Sequence, residues 1–217
     1  MSTLSAVFLK EQLELADQLL AGRGTMDHPQ DLPGRYGRVV RAIDHLLQAM
    51  NCESVLAGGW AVWRYGFVGR VTQDIDVVLP TLRIEEFLRV AIVSGFEMLP
   101  QPEGRWPKLR HKDTNVQVDI LPEGERPGTH SRPAPTTIRH PAAMGAKGDT
   151  LQYISLPALM ELKIAAGRAR DEVDVIELVR ANWDQVDRIR HHLMVVHADY
   201  VAVFDRLVER AREQEDR

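Results

Sequence analysis

The sequence predicts an α+β protein in which a small mixed β-sheet with flanking helices is followed by a helical C-terminal half. Up to about residue 121, short apolar runs rich in β-branched residues alternate with segments of helical periodicity. The turn-like stretch 112–115 (KDTN) joins two of those runs as a hairpin. From Leu156 onward the apolar residues keep helical spacing. We therefore expect an α/β unit over residues 1–150 and a helical region over 151–217.

The first part of the chain carries the elements of the predicted sheet. In order, these are helices over 2–20 and roughly 35–50, a strand at 54–57, a helix from 58 to about 65, a strand over 74–79, a helix over 82–94, and strands near 96–99, 107–112 and 115–121. Glycines at 22 and 24 stop the first helix, and Pro80 closes the strand 74–79. A strand–helix–strand start continued by a hairpin is typical of a small mixed sheet with helices on one face.

The rest of the chain is predicted to be a loop followed by helices. Residues 122–141 are rich in Pro, Gly, Thr and Arg and are most simply a long surface excursion, a kind of segment that is often functional. Residues 150–155 are expected to add an edge strand. The predicted helices then cover 156–169, 171–181, roughly 184–190 and a last segment to about 212.

Composition narrows the class of protein. A net charge of −4 and a pI near 6.1 exclude an obviously basic nucleic-acid binder but leave room for a local basic patch. The single cysteine, Cys52, cannot form an internal disulfide. The N-terminal segment carries charges within its apolar pattern, so it is neither a signal peptide nor a membrane span. We expect a cytoplasmic protein without a membrane partner.

The most informative stretch is the predicted strand DIDVVL, which contains two aspartates. Because side chains alternate along a strand, Asp74 and Asp76 emerge on the same face. Two adjacent carboxylates repel each other in a poorly solvated site. A divalent cation removes that conflict, and the hard oxygen ligands favour Mg²⁺ or Mn²⁺.

A third carboxylate, Asp119, lies in a similar apolar strand. A pair of acids plus one on a neighbouring strand is the ligand set of a two-metal site, which holds the attacking and leaving oxygens of a phosphoryl or nucleotidyl transfer. We assign Asp74, Asp76 and Asp119 as metal ligands and expect Asp119 to help deprotonate an acceptor hydroxyl. The alternatives are surface acids at a strand end for the pair, and an ion pair with Arg or Lys for Asp119.

Two glycines, Gly58 and Gly59, open the helix that follows the first strand. They could form only a tight turn between the strand and the helix. The functional interpretation is that glycine lets the backbone approach a triphosphate, whose charge is met by free N–H groups.

The order of these motifs resembles the DNA polymerase β-type nucleotidyltransferase superfamily, in particular minimal bacterial enzymes such as AbiEii-type toxin components and small antibiotic nucleotidyltransferases. The resemblance rests on Gly58-Gly59, Arg70-x-Thr72-x-Asp74-Ile75-Asp76, Val118-Asp119-Ile120, the helix 159–166 with Lys163, and Arg168-x-Arg170-Asp171-x-x-Asp174. Together these span roughly residues 54–180. Trp60 departs from the pattern, since many members have Ser or Thr there to help hold phosphate.

The resemblance implies roles for four further residues. Lys163 is expected to contact the triphosphate as a point charge, Arg70 and Thr72 to help bind the nucleotide, and Asp174 to support the site. Each has a simpler alternative. Lys163 could run its stem along an apolar helix, Arg70 and Thr72 could cap a turn, and Asp174 could favour a helix dipole.

We expect a Mg²⁺-dependent nucleotidyltransferase that moves NMP from an NTP to an acceptor and releases pyrophosphate. Candidate acceptors are a tRNA end, a protein side chain and a small antibiotic. The groups that would suit RNA are Arg126, Arg132 and Arg139 with Trp60, Trp63 and Trp106, in segments that can reach the rim of the site. The net charge of −4 argues against RNA, and so does the usual place of tryptophan in a core, where Trp60 and Trp63 could simply pack together. The resemblance also implies a toxin–antitoxin role with a cognate antitoxin. The alternative is a catalytically silent binding or regulatory module.

Overall fold

A computed structural model describes residues 6–22, 24–129 and 131–215. The helices and strands are, in chain order, α1 (Ala6–Leu20), α2 (Gly34–Ala49), β1 (Val55–Leu56), α3 (Gly58–Arg64), β2 (Asp74–Leu79), α4 (Thr81–Val93), β3 (Phe96–Leu99), β4 (Lys108–His111), β5 (Gln117–Pro122), β6 (Gly128–Thr129), β7 (Arg132–Pro133), α5 (Pro141–Met144), β8 (Gln152–Tyr153), α6 (Leu156–Ala166), α7 (Ala169–Ala181), α8 (Val186–Val196) and α9 (Ala198–Glu215). This confirms the predicted α+β class.

The main sheet has six strands in the order β3-β4-β5-β2-β1-β8. It is mixed, because β2 runs parallel to β5 and antiparallel to β1, while β4 is antiparallel to both β3 and β5. The parallel pair β2–β5 is in register over six residues, from Asp74 opposite Gln117 to Leu79 opposite Pro122. Strand β8 lies parallel to β1, so residues beyond 150 complete the sheet.

The core forms because the apolar residues of β2 and β5 are buried on both sides of the sheet. Ile75, Val77 and Val78 are fully buried, as are Val118 and Ile120 of β5. A strand that is apolar along almost its whole length is typical of a central position, covered on both faces. At the start of β2 and in the middle of β5 this pattern is interrupted by acids, which face the cleft described below.

The helical half is centred on α6, which is buried around most of its circumference. Leu159, Met160 and Leu162 are buried, and so are the polar residues Glu161 and Lys163. The helix contacts α3, α7, α8 and α9. A helix that is surrounded in this way is expected to be apolar on every side, so two charged residues in it require ion-pair partners.

Several element bounds differ from the predictions for local reasons. Helix α6 ends at Ala166 rather than at 169, because Gly167 adopts a left-handed conformation with φ of 61°. The helix predicted at 184–190 is wrong in extent: a 3₁₀ turn at Trp183–Gln185 precedes α8, which continues to Val196. The edge strand predicted at 150–155 is only two residues long. Residues 2–5 of the first predicted helix lie outside the described residues.

The segment 122–141 is held against the body more firmly than a surface excursion would be. The main-chain N–H of Glu123 donates to the carbonyl of Leu79 in β2 at 3.0 Å, and the side chain of Ile138 is 1% exposed. Two further main-chain hydrogen bonds close the segment on itself, from Gly124 to Ile138 and from Ile138 to Glu125. Between these contacts the segment folds back as the β6–β7 hairpin. Among the described residues, no helix is long and apolar enough to cross a membrane.

Candidate active site

Three neighbouring strands bring a lysine and two aspartates into one row across the sheet. The parallel register places Asp76 of β2 opposite Asp119 of β5. On the other side of β5, the antiparallel register places Lys108 of β4 opposite Asp119, with 2.5 Å between Lys108 Nζ and Asp119 Oδ2. Asp74 lies two residues before Asp76 and so shares its face. The sheet thereby places the three predicted metal ligands, Asp74, Asp76 and Asp119, on one face of two adjacent strands.

Burial raises the pKa values of two of these aspartates, and their closeness to one another adds to the effect. Burial, reinforced by the neighbouring carboxylates of Asp74 and Asp119, raises the pKa of Asp76 to about 7. Burial also raises the pKa of Asp119, against the opposing effect of its bond to Lys108. A carboxylate whose charged form is disfavoured in this way is stabilised when a cation lies beside it.

The two glycines are required by packing at the site. Gly58 has a φ of +62°, and a Cβ there would lie 1.7 Å from Oδ2 of Asp76. A Cβ on Gly59 would lie 2.2 Å from Oγ1 of Thr72 and 2.5 Å from Nη1 of Arg70. Both glycines therefore let the acid strand and the loop before it approach the start of α3. This steric reason holds without a nucleotide, so the contact with phosphate stays a prediction.

A chain of buried ion pairs joins the sheet to the helical half. Arg70 Nε donates to Asp174 Oδ1 at 2.5 Å, and Lys163 Nζ donates to Asp174 Oδ2 at 2.6 Å. Lys163 also reaches Asp171 at 3.1 Å, and Arg168 Nε donates to the same carboxylate at 2.6 Å. The Asp171 and Asp174 side chains are 0% and 1% exposed. These contacts hold α6 and α7 at a defined position beside the Arg70 loop.

The acids, the glycines and part of this ion-pair chain line one cleft of about 1330 Å³. The predicted site residues along its wall are Gly58, Gly59, Arg70, Thr72, Asp74, Asp76, Asp119 and Lys163. Asp174 lies behind Lys163 and Arg70, where it positions them and is not at the cleft surface. Lys163 is thus bound to two acids rather than extended along the helix, while still bordering the cleft.

The donor set in the cleft fits a divalent cation. It consists of carboxylate oxygens, and Asp119 Oδ1 is buried without a hydrogen-bond partner in the part of the chain that the structure describes. Across the described residues, no three His, Cys, Asp or Glu side chains already surround one point that a cation could occupy. Asp119 is instead paired with Lys108. Ligation by all three acids would therefore have to use the free Oδ1 of Asp119 or displace Lys108 from its Oδ2.

Two residues of the site were not identified from the sequence. Gln12 of α1 is 4% exposed and accepts a hydrogen bond from the main-chain N–H of Thr72 at 3.2 Å; no local signal connects residues so distant. Lys108 did have a signal. The predicted hairpin turn at 112–115 pairs 111 with 116, and continuing that register pairs 108 with 119.

The aromatic residues that were expected near the rim divide into two groups. Trp60 and Trp63 are buried, and Trp60 packs with ring centroids 4.6 Å from Tyr36 and 5.3 Å from Trp63. Trp106 lines the cleft. Of the loop arginines, Arg139 is bonded to the buried carboxylate of Glu161 at 2.7 Å. Trp60 and Trp63 therefore pack in the core, as the simpler expectation has it, and do not reach the rim.

Comparisons with known proteins give structural likenesses only. No protein-family model matches the chain, and no curated protein sequence matches it significantly. Among solved structures, ANT(2″)-Ia in complex with adenylyl-2″-tobramycin is similar at 17% identity and a TM-score of 0.41, covering 82% of this chain and 97% of that one.

Two further structures are also similar. The Cid1 poly(U) polymerase is 11% identical with a TM-score of 0.33, covering 83% of this chain and 46% of that chain. The STING-associated CdnE c-di-GMP synthase from Capnocytophaga granulosa is 9% identical with a TM-score of 0.32, covering 95% and 96%. At these identities and TM-scores, the likenesses carry no inference about the activity of this chain.

Proposed function

We propose that this protein is a Mg²⁺- or Mn²⁺-dependent nucleotidyltransferase that moves NMP from an NTP to an acceptor. The observation that carries the proposal is the convergence of Asp74, Asp76 and Asp119 on one face of adjacent strands, in a large cleft beside a glycine turn. Unpaired acids are costly in a core strand unless a cation or donor offsets them. The raised pKa of Asp76 indicates that this offset is incomplete in the protein alone.

In this proposal, Asp74, Asp76 and Asp119 would hold the metal ions. When bound, divalent cations neutralise the charge that develops on the transferring phosphoryl group. Lys163 would place a positive charge near the triphosphate, and Asp174 would hold Lys163 and Arg70 in position. Gly58 and Gly59 would allow close backbone approach, with Arg70 and Thr72 on the facing wall of the cleft.

The reaction is an in-line displacement at the α-phosphorus. The acceptor oxygen forms a bond to phosphorus, the bond to the bridging oxygen breaks, and pyrophosphate leaves. Asp119 would take the proton of the acceptor hydroxyl, directly or through water.

The acceptor that the cleft favours is a small molecule or a protein side chain rather than tRNA. Stacking of bases needs exposed rings, and two of the three tryptophans that could have served are buried. Arg139 is bonded to Glu161, and the cleft wall carries exposed residues of both charges, the acids Glu103 and Glu125 beside Arg105 and Arg170. Arg126 and Arg132 remain exposed. If tRNA is the acceptor, the affinity for tRNA should fall steeply as the salt concentration rises. This salt dependence should become shallower when these two arginines are neutralised.

The test is to incubate the protein with each α-labelled NTP, Mg²⁺, and separately total RNA, protein lysate or aminoglycosides. We expect label on one acceptor class, with none for Asp76→Asn. Label on RNA would contradict the acceptor assignment but not the transfer reaction. No label with any acceptor, combined with metal-dependent NTP binding, would favour the second candidate, a catalytically silent nucleotide-binding module. The pairing of Lys108 with Asp119 is the observation that favours this candidate.

A role as the toxin of a toxin–antitoxin pair extends the proposal, and its support is the sequence resemblance alone. The expected result is growth arrest when the protein is expressed alone, without a cognate antitoxin. Asp76→Asn should relieve the arrest if nucleotidyl transfer causes it. Arrest that persists in Asp76→Asn would argue against a catalytic toxin.

A further inference from the structure

Lys108 is a charged residue of the cleft that the proposed reaction does not use, and it contacts one of the proposed metal ligands. It lies on β4, its side chain is 34% exposed, and its ammonium group contacts Asp119 Oδ2 at 2.5 Å. It borders the same cleft as the three acids. The row across the sheet therefore consists of Lys108, Asp119 and Asp76 in that order, with the positive charge at one end and the two negative charges beside it.

This ion pair differs from its neighbour on the same strand. Arg110, two residues further along β4, pairs with Glu97 of β3 at 2.6 Å, and those side chains are 39% and 41% exposed. Exposed pairs of this kind contribute little to stability. Among the described residues, the cleft wall includes Lys108 and Asp119 but neither Arg110 nor Glu97. The Lys108–Asp119 pair is thus the one placed where a substrate complex would form.

The pair also leaves Asp119 half satisfied. Its Oδ2 accepts from Lys108, while its Oδ1 is buried without a hydrogen-bond partner among the described residues. A carboxylate that has one hydrogen-bonded oxygen and one unpaired buried oxygen is expected to exchange its lysine for a cation that it binds more strongly. Its strand neighbour Asp76 lies on the side away from Lys108, which is where a shared cation would be held.

We propose that Lys108 is a removable counter-charge that positions Asp119 in a metal-free resting state and competes with the divalent cation for it. The inference rests on the proposed metal-dependent function. When the cation binds, Asp119 turns from β4 toward Asp76, and the Lys108 ammonium is released into the cleft. Lys108 is therefore a positioning residue, which sets the cation concentration at which the three acids assemble.

The test is Mn²⁺ binding to the purified full chain, followed by the electron paramagnetic resonance signal of free Mn²⁺, without nucleotide. Lys108→Met removes the competitor and should tighten Mn²⁺ binding roughly tenfold, the size that a net hydrogen bond to a charged group supplies. Lys108→Arg keeps the charge and should retain the wild-type affinity. Arg110→Met is the matched control, since it removes a cross-strand pair from the same strand outside the cleft, and should leave the affinity unchanged.

A second substitution at Lys108 keeps the proposal testable if Lys108→Met does not fold correctly. Lys108→Gln keeps a donor for Asp119 without the charge, and it should also tighten binding if competition is electrostatic. In the Asp119→Asn background, Lys108→Met should have no effect on Mn²⁺ affinity. An unchanged or weaker affinity in both Lys108→Met and Lys108→Gln would overturn the proposal.

The experiment also separates this inference from the proposed function. Mn²⁺ binding that is lost in Asp76→Asn but insensitive to Lys108 substitutions would overturn the counter-charge role alone. Absence of Mn²⁺ binding in the wild type and in every Lys108 variant would overturn both. Tightening in Lys108→Met that is also seen in Arg110→Met would show a general effect of sheet charge and would contradict the specific role of Lys108.

Discussion

Substitution of Asp174 by Asn should destabilise the protein strongly although the residue is outside the cleft wall. Its carboxylate receives Arg70 at 2.5 Å and Lys163 at 2.6 Å, and the three side chains are 1%, 9% and 7% exposed. Removing one member of a buried ion pair leaves an uncompensated charge and costs about 3–5 kcal/mol. Because Lys163 keeps Asp171 as a partner, we expect the lower end, about 3 kcal/mol.

Chemical denaturation of Asp174→Asn measures this directly, and a loss of about 3 kcal/mol corresponds to a melting temperature lower by roughly 6–12 °C. The matched control is Asp205→Asn, which breaks an exposed pair with Arg190 at 2.9 Å and should cost much less than Asp174→Asn, because solvent screens exposed ion pairs. If Asp174→Asn cost no more than Asp205→Asn, the buried ion-pair chain would not stabilise the junction between the sheet and the helices.

Three further predictions concern the acids, the glycines and Lys163. Because the folded pKa of Asp76 is raised to about 7 from 3.8, its ionisation should lower the unfolding free energy as pH rises from about 4 to about 7; metal-free Asp76→Asn should show a flatter dependence in melts across this range. Gly58→Ala should abolish nucleotidyl transfer and lower the melting temperature, because its Cβ would overlap Asp76, whereas Gly69→Ala (φ +92°, no atom within 4 Å) should show only backbone strain and keep activity. Lys163→Ala should raise the KM for NTP or lower kcat in steady-state kinetics; wild-type kinetics would remove it from the site.

The elements that were predicted well are those whose signal is local. The strand Asp74–Leu79 was found from its apolar run and its two acids, and alternation alone placed both acids on one face. The hairpin between β4 and β5 followed from the turn at 112–115. In these cases the residues that determine the structure are adjacent in the chain.

The features that were missed depend on contacts between distant residues. The position of β5, rather than β3, next to β2 has no local signal either; the expectation that Asp119 lies beside the acid pair rested on the ligand set of a two-metal site. The pairing of Arg70 with Asp174 joins residues 104 positions apart. Lys163 was placed on an apolar helix, but its two acid partners lie on the next helix, beyond the left-handed turn at Gly167.

The central claim is that Asp74, Asp76 and Asp119 together hold divalent cations at the site of nucleotidyl transfer. Its most direct test is a crystal structure of the protein with Mn²⁺ and a non-hydrolysable NTP, read from the anomalous difference map. We expect an Mn²⁺ peak within roughly 2.1 Å of oxygens from these acids, the distance expected for a hard octahedral cation, with Asp119 turned away from Lys108. Metal and nucleotide bound elsewhere, with the Lys108–Asp119 pair intact, would contradict it.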